Sequence, residues 1–198
     1  MGDTETNSRG SCYDMIGVVC FFSFVAGFIS LIIYIAVTFE SSVPNIEIAS
    51  MDFTVRNITQ IRLTANWDLL IRVPRTLPHD YICLQGDIQA SLFYKNITLV
   101  TSSGQRYKDL KSGSPQQLRV SAAISEEDIG GLIGENIIKD IKDEREVKFG
   151  SKLFFTDCRK GKRGVISYVC NEITLRFEPG SETKATKFGN DIPICTNV

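Results

Sequence analysis

Ile46-Glu47-Ile48-Ala49-Ser50-Met51-Asp52-Phe53-Thr54-Val55 alternates apolar and polar residues over most of its length. In an extended chain successive side chains point to opposite faces, so this period gathers the apolar residues on one face of a strand. Its β-branched and aromatic members suit a half-buried pleated surface. The same alternation runs through Ile61-Arg62-Leu63-Thr64-Ala65-Asn66-Trp67-Asp68-Leu69 and on through Ile71-Arg72-Val73. Further strands are predicted over 87–94, 118–124, 147–157, 164–170 and 172–177. Turn-forming residues separate them at 74–78, 111–115 and 160–164. Several strands at this spacing predict an antiparallel β-sandwich in preference to a parallel α/β sheet.

One segment departs from period two. Ser125-Glu126-Glu127-Asp128 reads as a helix N-terminus, with Ser125 as the cap and acidic residues in the first turn. Ile129, Leu132, Ile133, Ile137 and Ile141 then recur at helical spacing. Gly130, Gly131 and Gly134 weaken the pattern, so a short helix covering the open end of the core is predicted.

Outward from this β-rich body, Met15 to Phe39 holds no Asp, Glu, Lys, Arg or His and is bracketed by Asp14 and Glu40. A helix needs about twenty residues to cross a hydrocarbon core of roughly 30 Å. Three readings fit: a buried core helix, a signal peptide cleaved near Ala36, and an uncleaved signal anchor. The flank before the run carries Asp3, Glu5 and Asp14 against Arg9, not the basic n-region of a signal peptide. The anchor is therefore preferred. It divides the chain into a tail (1–14), a membrane span (15–39) and a body (40–198). Lys and Arg bias sets orientation; Arg9 precedes the span, and no Lys or Arg follows it until Arg56, which favours a cytosolic N-terminus.

Two Asn-x-Thr sequons, at Asn57 and Asn96, are candidate glycosylation sites and suit a body facing the secretory lumen. Cys83, Cys158, Cys170 and Cys195 are candidate disulfide partners in an oxidising compartment, with three pairings open; the alternative is four buried free thiols. Cys12, just ahead of the apolar run, is a candidate for palmitoylation. Arg159, Lys160, Lys162 and Arg163 place four positive charges on a predicted hairpin tip beside Cys158. Such a tip either stays solvated and guards a strand edge against aggregation, or contacts an anionic partner such as lipid headgroups or a pectic wall polymer.

The whole chain has 22 Lys and Arg against 23 Asp and Glu. No basic patch has interleaved aromatics, so a nucleic-acid partner is not expected. His79 is the sole histidine and no cysteine pair has CxxC spacing, so no metal site is expected. Nor is a cofactor: Gly130-Gly131-Leu132-Ile133-Gly134 lacks the Lys-Ser/Thr ending of a phosphate loop. No nucleophile has a base in its neighbourhood, and the acidic runs read as solvated helix faces. The chain is read as a non-enzyme.

Four stretches together resemble the plant harpin-induced-like (NHL) family, whose body is a late-embryogenesis-abundant group-two domain. They are Phe53-Thr54-Val55-Arg56-Asn57-Ile58-Thr59, Leu63-Thr64-Ala65-Asn66-Trp67-Asp68, Asp80-Tyr81-Ile82-Cys83 leading to Ala90-Ser91-Leu92-Phe93-Tyr94, and Val169-Cys170-Asn171-Glu172-Ile173-Thr174-Leu175. Val73-Pro74-Arg75 stands where relatives have Asn-Pro-Asn, and the Pro-Phe pair usual after the Tyr-rich strand is missing around 105–111, so the chain is a divergent member. The resemblance implies a seven-stranded, fibronectin-like antiparallel β-sandwich with one short helix, held at the plasma membrane and facing outwards. It implies a non-enzymatic interaction or adhesion module of defence and stress responses, acting on a protein partner or cell-wall polymer, with homo-oligomers open. The alternative is a structural protein that protects against dehydration without a specific partner.

Overall fold

The computed structural model describes residues 9–38, 43–59, 63–125, 131–162, 164–189 and 192–198, with side chains of the first helix from Gly17 to Ile35. The chain divides into two compact units between Ser42 and Val43. The described residues of the first unit form one helix, α1 (Arg9–Thr38), which begins six residues ahead of the charge-free run. Gly17–Ile35 is long and apolar enough to cross a membrane, and nearly all its side chains are exposed.

The second unit is mainly antiparallel β. Its strands are β1 (Ile46–Ile58), β2 (Leu63–Val73), β3 (Gly86–Tyr94), β4 (Ile97–Thr101), β5 (Gln105–Tyr107), β6 (Gln116–Ile124), β7 (Glu146–Thr156), β8 (Val165–Phe177), β9 (Lys184–Lys187) and β10 (Ile194–Asn197). All ten join one hydrogen-bonded sheet in the order β4-β3-β7-β8-β10-β1-β2-β6, with β5 on β3 and β9 between β1 and β8. Among the described residues, ten strands replace the seven expected. The additional ones are three to five residues long, so each face carries only one to three side chains and period two has no length in which to show.

Bulges explain where alternation misled. On β1, Ile48 pairs with Ile71 and Ser50 with Leu70, so Ala49 is the extra residue and the buried set shifts from Ile46 and Ile48 to Met51, Phe53 and Val55. On β8, Cys170 lies opposite Ser151 and Ile173 opposite Phe149, so two residues of β8 face one of β7. The segments 164–170 and 172–177, read as two strands, are one strand changing phase.

The buried faces of all the long strands share a single core centred on Trp67, Phe53, Phe149, Phe155 and Tyr168. Phe53 on β1 and Phe149 on β7 lie three places apart in the sheet order, yet their ring centroids are 4.9 Å apart. The sheet therefore folds over its own apolar face, and its two ends meet: Gln105 Nε2 donates to the Ser121 carbonyl at 3.2 Å. Burial of large side chains contributes roughly 1.5–3 kcal/mol each, which makes this shared core the main source of stability.

Helix α2 (Gly131–Lys139) continues into a π-helical turn at Asp140–Glu144 that Arg145 ends in a left-handed conformation, φ 56°. Ile137, Ile138 and Ile141 are buried and Ile133 packs against the core. Leu132, expected on that face, is 72 % exposed, because the helix starts at Gly131 and positions 133, 137 and 141 already define the inner stripe. Ser125 has no helical conformation; Ile129 and the acidic residues 126–128 lie outside the described residues.

Candidate functional site

Three loops close one end of the folded sheet, and backbone hydrogen bonds stitch them together. The β2–β3 loop starts at Pro74, where Leu77 N bonds the Pro74 carbonyl at 3.2 Å and Tyr81 N and Ile82 N both reach the Leu77 carbonyl. Leu77 and Ile82 are fully buried, which pins the loop to the core while His79 and Asp80 face solvent. The β5–β6 loop joins it through Gly113 N to Arg75 O at 3.2 Å and Leu110 N to Leu84 O at 3.0 Å. The β7–β8 loop joins through Cys83 N to Thr156 O and Cys158 N to Tyr81 O, and the Cys83–Cys158 disulfide crosses the same seam.

The predicted basic tip belongs to this seam, but its charges are unequal. Asp157 is 8 % exposed. It accepts from Arg159 three ways: backbone N at 2.9 Å, Nε at 3.1 Å and the terminal guanidinium nitrogen at 2.7 Å. The Arg159 hydrogen bond, against the opposing cost of burial, holds the Asp157 carboxyl below its ordinary range. Arg159 is thus committed within the loop and Asp157 neutralises it. Lys160 and Lys162 remain exposed on the turn closed by Lys162 N to Arg159 O, where Gly161 supplies the positive φ of 78°. Arg163 lies outside the described residues. Beneath the turn, Tyr168 is fully buried, and burial raises the pKa of its hydroxyl.

The remaining candidates lie elsewhere. Cys170 and Cys195 form the second disulfide, directly cross-strand between β8 and β10. Asn57 is exposed near the end of β1, and Asn96 is exposed in the two-residue β3–β4 turn with Lys95, φ 66° and 47°. Both sequons stand at the end of the sheet opposite the stapled loops. Cys12 falls early in α1 and its side chain is outside the described residues; Cys20, also in α1, is a free, exposed thiol. Near Asn96 a cleft of about 260 Å³ is lined by Tyr94, Lys95, Asp140, Glu144, Glu146 and Glu172, among others. Tyr94 donates its hydroxyl to Asp140 Oδ2 at 2.6 Å, and burial, then this bond, raises its pKa. Among the described residues, no group of three or more His, Cys, Asp or Glu side chains is placed to hold a metal ion.

Sequence reasoning missed three cations that join the basic tip: Arg75, Lys108 and Lys111, exposed on the neighbouring loops. Turn-forming surroundings marked Arg75 and Lys111 as loop residues, while Lys108 fell outside every predicted strand and turn; only the sheet order brings the loops together. Asp157, the residue that organises the tip, carried no signal beyond its place beside Cys158.

A family described as "Protein of unknown function (DUF1163)" matches residues 129–197, about a third of the chain. No curated protein matches the chain. A crystal structure of a protein from Archaeoglobus fulgidus is similar at 13 % identity and a TM-score of 0.37, over 66 % of this chain and 98 % of that one.

Proposed function

We propose that this protein is a single-pass type II protein of the plasma membrane whose body lies outside the cell. In this reading residues 1–14 are a cytosolic tail, 15–39 an uncleaved signal anchor, and 40–198 a fibronectin-like β-sandwich of the late-embryogenesis-abundant group-two kind. It works without catalysis, as an interaction or adhesion module of plant defence and stress responses, on a protein partner or wall polymer.

The observation that carries the reading is the pairing of all four body cysteines into two bridges, since such bonds persist in oxidising compartments. Exposed Asn57 and Asn96 support it, as does a helix able to cross a bilayer. The stretches that resemble the NHL family sit together in the core: Phe53 pairs with Trp67 and Val55 with Ala65, and Cys170 is in β8.

Glycosidase treatment with protease protection of tagged ends tests the topology. The expected result is a mobility shift, lost in Asn57→Gln/Asn96→Gln, with the N-terminal tag protected in sealed plasma-membrane vesicles. An unshifted protein whose body is digested only from the cytosolic side would overturn the reading. Co-purification of a partner, lost on surface mutation of the body, is the expected sign of an interaction module. Protection of unrelated proteins during drying, with no partner recovered, would move the function to stress protection.

A further inference from the structure

The stapled end of the body carries a cluster of uncommitted positive charges. At the stapled end Arg75, Lys108, Lys111, Lys160 and Lys162 are exposed, and among the described residues no ion pair involves them. Most acids there are already engaged: Asp157 by Arg159, Asp87 by Arg106 at 3.7 Å and Glu47 by Arg72 at 3.3 Å. Asp80 sits beside His79, and Asp109 is exposed between Lys108 and Lys111 on the β5–β6 loop. Towards the other end, where both sequons stand, the charges are mixed: Glu144, Glu146 and Glu172 line the cleft with Lys95 and Lys148, and Arg176 pairs with Glu146. A strand of 13 residues such as β1 extends over about 40 Å, while a Debye length is about 8 Å at physiological salt. The stapled end therefore presents its own local positive charge, although the chain as a whole is nearly neutral.

The positive end is also where the chain enters. Ile46 pairs with Cys195 and Glu47 with Arg72, one residue before β2 runs into the stapled loops. Val43 follows the last residue of α1, Thr38, by five positions, a covalent reach of at most about 18 Å. Leu84, Val165 and Val198, exposed by 37 %, 63 % and 68 %, stand at the same end and offer apolar contacts beside the charges.

We propose that Arg75, Lys108, Lys111, Lys160 and Lys162 form a basic collar that binds anionic lipid headgroups of the bilayer crossed by α1. This rests on the reading of α1 as a membrane span, but not on which side the body faces. Lysines near a negatively charged surface each contribute a Boltzmann-weighted attraction, and two of them together favour the surface roughly thirtyfold.

The test uses the full chain reconstituted in vesicles of phosphatidylcholine alone or with phosphatidylglycerol. Acetylation of individual lysines by an aqueous amine reagent is followed by mass spectrometry. Lys108, Lys111, Lys160 and Lys162 are expected to react several-fold more slowly in the anionic vesicles, with Lys184 at the other end unchanged. High salt should abolish the protection, and Lys160→Glu/Lys162→Glu should abolish it at Lys108 and Lys111. Equal rates in both vesicles would overturn the proposal, as would slowing that extends to Lys184. Protection by soluble polygalacturonate, but not by phosphatidylglycerol, would assign the collar to a wall polymer instead and overturn the lipid contact. Any of these failures leaves the topology experiment, and with it the proposed function, standing on its own result.

Discussion

Replacing Asp157 with Asn removes one negative charge from the centre of the stapled end while keeping the side-chain shape. The Asp157 side chain is 4 % exposed and that of Arg159 is 31 % exposed, so the carboxylate is desolvated while the guanidinium keeps access to water. Hydrogen bonds to charged groups are worth roughly 1.5–3 kcal/mol. Stranding a fully buried ion costs about 3–5 kcal/mol, but Arg159 can turn outwards, which keeps the cost towards the lower range. Asn also retains an oxygen for the Arg159 backbone N. The expected loss is about 2 kcal/mol near neutral pH, or roughly 4–8 °C in Tm for a domain of this size. Trp67 is the sole tryptophan and is fully buried, so its fluorescence reports unfolding of the body directly.

The pH dependence separates this ion pair from a packing effect. Arg159, chiefly through its side-chain hydrogen bond, lowers the folded pKa of Asp157 below the unfolded value. A depressed carboxyl pKa adds stability that is fully present above the unfolded value of about 3.9 and is lost as pH falls through the folded one. The gap between wild type and Asp157→Asn should therefore be constant from pH 7 to about pH 5 and shrink at more acid pH. Equal stability at pH 7, or a gap undiminished in acid, would refute the assignment of Asp157 as the loop's electrostatic anchor.

Three further outcomes are expected. Removing the Cys83–Cys158 bridge, which spans 75 residues, should cost about 4.5 kcal/mol, against about 3.5 kcal/mol for Cys170–Cys195, which spans 25, by loop-closure entropy in denaturant titrations. Gly86→Ala should destabilise by about 1–3 kcal/mol in the same assay, because a Cβ there would meet Thr156 Oγ1 at 2.6 Å and the Tyr107 hydroxyl at 2.9 Å. Burial disfavours the phenolate and pushes the Tyr107 pKa up to about 12, so stability is undiminished below the unfolded pKa of about 10 and falls as pH rises from there through 12. Because the hydroxyl has no hydrogen-bond partner among the described residues, Tyr107→Phe should be near neutral at pH 7 and flatten the alkaline loss of Tm.

The long strands were legible because period-two alternation is a local property. β1, β2, β3, β7 and much of β6 and β8 follow directly from which residues can share a face. The short strands β4, β5, β9 and β10 were not, since Lys184-Ala185-Thr186-Lys187 becomes a strand only by filling the slot between β1 and β8. At the candidate site the four clustered cations and Cys158 were visible as a run, whereas Arg75, Lys108 and Lys111 were visible only as separate residues outside the predicted strands.

From sequence alone came a β-rich body, a charge-free segment long enough to span a bilayer, two sequons and four cysteines that could pair in three ways. Each depends on composition or on neighbours within a few positions. The tertiary structure alone decided which cysteines pair, that Asp157 takes Arg159 out of the basic tip, and that three distant loops gather their cations at the end where the chain enters. Those facts depend on sheet order and register, which arise when strands nearly a hundred residues apart bury one shared face, as β1 and β7 do around Phe53 and Phe149.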